Sequence, residues 1–265
     1  NPPEFKVNAF NFGVNEGAEM GFGTQQAYNE DSMTKFLDKV DADIKGMEAE
    51  SKEKNAATEL LNEVTKSYEK YKQGRRGGTF RGKGNWRADQ AYALVAKMQT
   101  LADVTSEASD GFSINAVNCA SGKDRTGMSQ STSTNYFEKF HENVASAKEG
   151  EKPDITKTRY EKIQELDSEI KSSKDGAEKE KLTNEMKKLQ KENLEFALKT
   201  NQLEIQEKNT GSKGHKLYGD SLPQFLTGNI RTKGGQTLQM QMLMYGLDKE
   251  GVEAQFTRTA KYNAT

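Results

Sequence analysis

Residues 112–127 read Phe-Ser-Ile-Asn-Ala-Val-Asn-Cys-Ala-Ser-Gly-Lys-Asp-Arg-Thr-Gly, and the order of elements in this stretch sets the expected fold. Phe112 to Val117 reads as a short, largely buried strand leading into Cys119. Thr126 to Val144 has few helix breakers and carries Met128, Tyr136, Phe137 and Phe140, which predicts a helix. Strand, loop and helix in that order predict an α/β architecture. In it a small central sheet is flanked by helices, and the loop sits at the C-terminal end of the central strand.

The loop itself carries chemistry. Cys119 and Arg125 are separated by five residues, a spacing that lets backbone N–H groups turn inward around a tetrahedral oxyanion. The following helix adds its N-terminal partial positive charge. Gly122 permits the backbone angles such a nest demands, Ser121 and Lys123 complete the lining, and Arg125 offers a planar fork to two phosphate oxygens. The same positive surroundings favour the thiolate of Cys119, the candidate nucleophile. Thr126 is placed to donate a hydrogen bond to the departing sulfur. Asp124 is the nearest acid for protonating a leaving alkoxide; its structural alternative is to cap a helix that starts at Thr126. A lone cysteine is ordinarily a small buried hydrophobe. Here the full run C-x-S-G-K-D-R-T-G after an apolar stretch favours the catalytic reading.

Working outward, Met33, Phe36, Leu37 and Val40 are spaced for one helix face, with Asp31 and Ser32 as N-cap candidates. Leu60, Leu61, Val64 and Tyr68 form a second stripe, so Asn29 to Lys72 reads as helical. Ala91, Leu94, Val95, Met98 and Leu101 place a further helix over Ala88 to Leu101. Phe10, Phe12 and Val14 alternate in a way that suggests a strand or two near the start. Gly74 to Gly84 holds five glycines and four basic residues and reads as a cationic loop, facing either solvent or an anionic surface. Beyond Pro153, the stripe Tyr160, Ile163, Leu166, Ile170 and the stripe Leu182, Met186, Leu189, Phe196 predict a charged antiparallel helical hairpin. It runs from Thr156 to about Thr200 and breaks at Ser172 to Gly176. The expected organisation is a catalytic core of residues 1–155 and 201–265, with the hairpin, 156–200, inserted as scaffold or docking arm. A last helix is expected around Leu238 to Tyr245, with Met240, Met242 and Met244 as core.

Composition narrows the partners. The 265 residues are 33% hydrophobic and 30% charged, with 39 basic against 40 acidic residues. That balance argues against a general nucleic-acid binder. No apolar run approaches the roughly 20 residues that cross a bilayer, and no signal peptide is visible, so any membrane contact is expected to be peripheral. The first residue is Asn rather than Met, which reads as a piece of a longer protein. One cysteine permits no intrachain disulfide. The two histidines lack metal-ligand spacing, and neither a metal nor an organic cofactor is expected.

Lys123 beside the phosphate points toward multiply phosphorylated inositol, and here a resemblance becomes specific. Cys119 to Gly127 resembles the C-K-S-G-K-D-R-T-G loop of the SopB/IpgD phosphoinositide phosphatases that pathogenic bacteria inject into host cells. It is also similar to the C-K-S-A-K-D-R-T loop of eukaryotic inositol polyphosphate 4-phosphatases. Asn11 to Glu16 and Glu204 to Gly211 resemble stretches upstream and downstream of that loop in the bacterial family, with the hairpin between them unmatched. The resemblance implies hydrolysis of a ring phosphate of a membrane phosphoinositide, by a secreted effector peripheral to host membranes; the hairpin, outside the resemblance, is the expected surface for a host protein. Ala120 stands where these relatives have lysine, which leaves the choice between the 4- and the 3-phosphate open. The alternatives are a protein tyrosine or dual-specificity phosphatase, and a non-catalytic phosphoinositide-binding module.

Overall fold

The computed structural model describes residues 10, 24–48, 51–76, 88–108, 111, 113–114, 124–148, 152–200, 242–248, 250–252 and 254, with backbone alone at 24–26, 71, 73–76, 88–91 and 124–128. Six long helices account for most of them. These are α1 (Thr24–Gly46), α2 (Lys52–Arg76), α3 (Ala88–Glu107), α4 (Asp124–Ser146), α5 (Arg159–Ser172) and α6 (Gly176–Lys199). Consecutive helices α1 to α4 pack on one another, α1 also touching α3 and α2 also touching α4, while α5 pairs with α6 and leans on α4.

Helical spacing builds the main core. Met33, Phe36, Val40 and Ile44 of α1 recur every three or four residues, and all four are buried, as one apolar stripe requires. Ala56, Ala57, Leu60 and Val64 of α2, Leu94, Ala96, Leu101 and Val104 of α3, and Tyr136, Phe140 and Val144 of α4 close on that stripe. Ser51 caps α2, its hydroxyl accepting from the Lys54 N–H at 3.1 Å, which satisfies one of the free donors of a first turn.

A second, smaller core joins Tyr92, Tyr160, Ala197, Met244, Tyr245 and Val252. It fastens the base of the α5–α6 hairpin to the 242–252 segment. Asn193 Nδ2 donates to the Met244 carbonyl at 3.3 Å, and Gln190 Nε2 to that of Leu243 at 2.8 Å. Gly246 ends the short helical turn 242–245 at φ +65°, with the Leu247 N–H returning to the Met242 carbonyl, a glycine-dependent helix stop. A Cβ at Gly246 would lie 2.6 Å from the Gln190 side-chain oxygen and displace it, and the left-handed φ disfavours most other residues.

Charged side chains hold the layers in register. Lys97 of α3 has its side chain wholly buried and pairs with Glu63 of α2 at 3.3 Å and Glu161 of α5 at 3.1 Å. Glu161 also completes a capping box with Thr158 at the start of α5, so one carboxylate serves the cap and the buried lysine together.

This architecture corrects several expectations. No strand occurs among the described residues, so the α/β reading with a central sheet does not hold. Ser113 and Ile114, from the stretch expected to be a buried strand, are irregular, and Ile114 is 83% exposed. Among the described residues no strand lies beside Ser113 and Ile114 to cover them. Phe10 is irregular as well, while Phe12 and Val14 lie outside the described residues. Helix α1 begins at Thr24, seven residues before the expected cap at Asp31. Helix α2 runs on through Gly74 to Arg76, three residues of the expected cationic loop; residues 77–87 lie outside the description. The hairpin forms as expected, turning at Ser173–Asp175, with Asp175 capping α6. Of the expected last helix, 242–245 is helical, with Met244 buried; 238–241 lie outside the description, as does Met240.

Candidate active site

Helix α4 is the element on which the candidate site depends. Its first helical residue is Asp124, so Asp124, Arg125 and Thr126 occupy one opening turn. The N–H groups of such a turn have no partner within their own helix and carry the positive end of the helix dipole. Asp124 thus stands inside the helix rather than capping one that starts at Thr126, which corrects the capping alternative. A carboxylate there is favoured by the dipole. Cys119, Ser121, Gly122 and Lys123 lie outside the described residues, so the structure places the downstream end of the loop and not its nucleophile.

The upstream approach is placed at two points. Ser113 Oγ donates to the carboxylate of Asp103, and the Gly111 N–H donates to the Ser106 carbonyl at 2.8 Å. Gly111 and Ser113 are therefore held against the C-terminal part of α3. The chain leaves this point at Ile114 and re-enters at Asp124 on α4, the helix that packs on α3.

Along the α3–α4 seam lies a cleft of about 310 Å3, walled by Gln99, Thr100 and Asp103 of α3 and by Gln130, Ser133, Thr134 and Phe137 of α4. Gln130 is six residues from Asp124, so the cleft opens about 9 Å along the axis from the start of α4. Thr134 Oγ1 is occupied, donating to the Gln130 carbonyl at 3.0 Å. The hydroxyls of Thr100 and Ser133 are buried with no hydrogen-bond partner, an expensive state for a polar atom that the fold alone does not satisfy.

The inner face of α4 is unusually polar. Ser129, Ser131, Thr132 and Asn135 are all buried, and Asn135 Nδ2 donates to Asn193 Oδ1 of the hairpin at 3.4 Å. Arg159 Nη1 donates to the same oxygen at 3.3 Å. Burial pushes the Arg159 guanidinium below its ordinary range, opposed by Glu192, Glu142 and Glu138. Tyr136, whose hydroxyl donates to the Ile155 carbonyl, is pushed far above the usual phenol range. Burial is the main cause, followed by the negative charges of Glu161, Glu63, Asp154 and Glu59. Sequence reasoning passed over Ser129, Ser131, Thr132, Asn135 and Arg159 because it searched for apolar stripes. A signal existed in the seven uncharged polar residues from Ser129 to Asn135, too continuous for an ordinary solvated face.

Lys72, near the end of α2, pairs with Glu69 at 2.5 Å and lies over the Tyr68 ring at 5.0 Å. His141 packs edge-on against Phe137 with ring centroids 4.4 Å apart, and His215 lies outside the described residues. No set of three metal-ligating side chains comes together among the described residues. None of their helices is long and apolar enough to cross a membrane.

The described residues form a helical protein, and the sequence motif C-x5-R runs into the first turn of its helix α4. Residues 3–201 match the family described as enterobacterial virulence protein IpgD, and the chain belongs to that family. The matched span includes the α5–α6 hairpin, which the motif islands had left unmatched, and stops short of the Glu204–Gly211 island. No curated protein and no solved structure matches the chain.

Proposed function

We propose that the protein is a cysteine-dependent phosphoinositide phosphatase, acting as a secreted effector at an anionic host membrane. The observation that carries the reading is the run Cys119 to Gly127, whose last four residues open helix α4. A C-x5-R loop needs a helix N-terminus immediately downstream, because the free N–H groups of the first turn help bind the oxyanion. The sheet first expected behind the loop is not part of this reading.

In the first step the Cys119 thiolate forms a sulfur–phosphorus bond as the phosphorus–oxygen bond to the inositol breaks, and Asp124 gives its proton to the leaving alkoxide. In the second step water attacks phosphorus and returns a proton to Asp124. The sulfur–phosphorus bond breaks, Thr126 donates a hydrogen bond to the departing sulfur, and inorganic phosphate leaves. Arg125 clamps two equatorial oxygens throughout, while Lys123 and the backbone of Ser121 and Gly122 bind the remaining charge. Residues 1–155 and 201–265 would act as the catalytic unit, and the hairpin, knit at its base to the described part of that unit, would be free to dock a host protein at its exposed tip.

Phosphate release measured across the phosphoinositide isomers, soluble inositol phosphates and a phosphotyrosine peptide tests the reading. The expected result is release from one or a few inositol-ring isomers well above release from the peptide. Preference for the peptide would make the protein a tyrosine phosphatase. Binding of headgroups without any release would make it a binding module.

A further inference from the structure

We propose that Asn193, on helix α6 of the hairpin, is a positioning residue for the phosphatase reaction, an inference that rests on that reading: it sets the pose of α4, and so of the turn that follows the C-x5-R loop. Asn193 is 1% exposed. Its side-chain oxygen accepts from Asn135 Nδ2 of α4 at 3.4 Å and from Arg159 Nη1 of α5 at 3.3 Å. Its side-chain nitrogen donates to the Met244 carbonyl at 3.3 Å. One carboxamide thereby joins α4, both arms of the hairpin and the 242–252 segment, and both lone pairs of its oxygen are used. A buried polar network satisfied in this way fixes one arrangement of the elements it joins.

The composition of α4 makes that tie matter to the loop. Among its described side chains, the members of the apolar core are Tyr136, Phe140 and Val144, all on the far side of Asn135 from the loop. Ser129, Ser131 and Thr132, on the near side, are buried but polar. Helix α3 packs on α4, and Asn135 ties α4 to the hairpin. Asn135 lies about 16 Å along the axis from Asp124, so a tilt of about 4° there displaces the first turn by about 1 Å. A misplacement of that size, caused far from the chemistry, can cost roughly 10²-fold in rate, because the first-turn N–H groups leave the geometry the oxyanion needs.

The test combines steady-state kinetics on p-nitrophenyl phosphate with amide chemical shifts of residues 124–128, at a temperature where circular dichroism shows each variant folded. Asn193→Ala should lower kcat roughly 10- to 100-fold with KM changed less than about twofold. Asn135→Ala should do the same, and the double variant should be no slower than the slower single one, because both remove one tie. Asn193→Asp keeps an acceptor for Asn135 and Arg159 and should restore most of the rate. Gly246→Ala is the control: it crowds Gln190 and should lower the melting temperature while leaving kcat unchanged. The amides of 124–128 should shift in Asn193→Ala and stay in place in Gly246→Ala. A merely structural Asn193 would behave like Gly246. Wild-type kcat in Asn193→Ala, additive losses in the double variant, or unmoved amides at 124–128 would overturn the proposal. Absence of phosphate release by the wild type, from this substrate and from every inositol phosphate, would instead count against the phosphatase reading, and the amide shifts would still decide whether Asn193 sets the first turn of α4.

Discussion

Replacing Lys97 with methionine should cost the fold about 3 kcal/mol. The lysine side chain is fully buried, while the Glu63 and Glu161 side chains are 20% and 31% exposed. At an effective dielectric near 20, each pair at these distances is worth about 5 kcal/mol of gross attraction. Burying the ammonium offsets several kcal/mol of that. Removing one partner of a buried pair typically costs about 3–5 kcal/mol, and the two partly hydrated carboxylates put this case at the low end. Methionine keeps the aliphatic stem in place, so the loss is electrostatic rather than a cavity. Lys97→Met, Glu63→Gln, Glu161→Gln together should recover most of the stability, since replacing a whole buried ionic group is often neutral. Glutamine at 161 can still serve the capping box with Thr158. Denaturant unfolding measures the change, and the melting temperature should fall by about 6–12 °C. A loss below about 1 kcal/mol in Lys97→Met, or a triple variant weaker than the single, would refute the view that this lysine ties α2, α3 and α5 together.

Three further outcomes follow from the site and its support. Arg125→Lys should reduce phosphate release roughly 10²-fold although the charge is kept, because an ammonium cannot make the bidentate contact; wild-type kinetics would mean the cradle is built differently. Asp124→Asn should slow hydrolysis of an inositol phosphate far more than that of p-nitrophenyl phosphate, whose leaving group needs no proton, and equal losses would remove Asp124 as the acid. Tyr136 is held protonated well above the ordinary phenol range by burial and by neighbouring carboxylates. Its contribution is therefore fully present below about pH 10 and lost as the pH rises beyond it. Tyr68, pushed up to about 12 by burial, Glu30 and Glu69, acts in the same sense. Tyr136→Phe should lose about 1–3 kcal/mol at neutral pH, because the Ile155 carbonyl is left unpaired, and should unfold less steeply with alkali; an unchanged alkaline transition would contradict this.

The helices were legible where apolar residues recur at helical spacing. Met33, Phe36 and Val40 were read as one buried face and are one, and the hairpin turn fell within a residue or so of its expected place. The sheet was expected wrongly because the short apolar run before Cys119 has no intrinsic period. Such a run reads as a strand until a partner strand is sought, and Ile114 lies in solvent instead. The start of α4 was legible to within two residues, since few breakers follow Arg125. The polar interior of α4 was not, because hydrophobic periodicity assigns Ser129, Thr132 and Asn135 to the surface. Lys97 escaped for the same reason: a lone lysine inside an apolar helix face reads as its solvent edge until its two glutamates are brought in from other helices.

The central claim is that Cys119 forms a covalent bond to phosphorus. The most direct measurement is a rapid acid quench of the chain turning over a phosphate-labelled inositol phospholipid, followed by peptide mapping of the label. The account predicts label on the peptide containing Cys119. It predicts none on the same peptide of Cys119→Ser, which should still bind the lipid and release no phosphate. Phosphate release by Cys119→Ser at a rate near that of the wild type, or turnover with no label at Cys119, would contradict it.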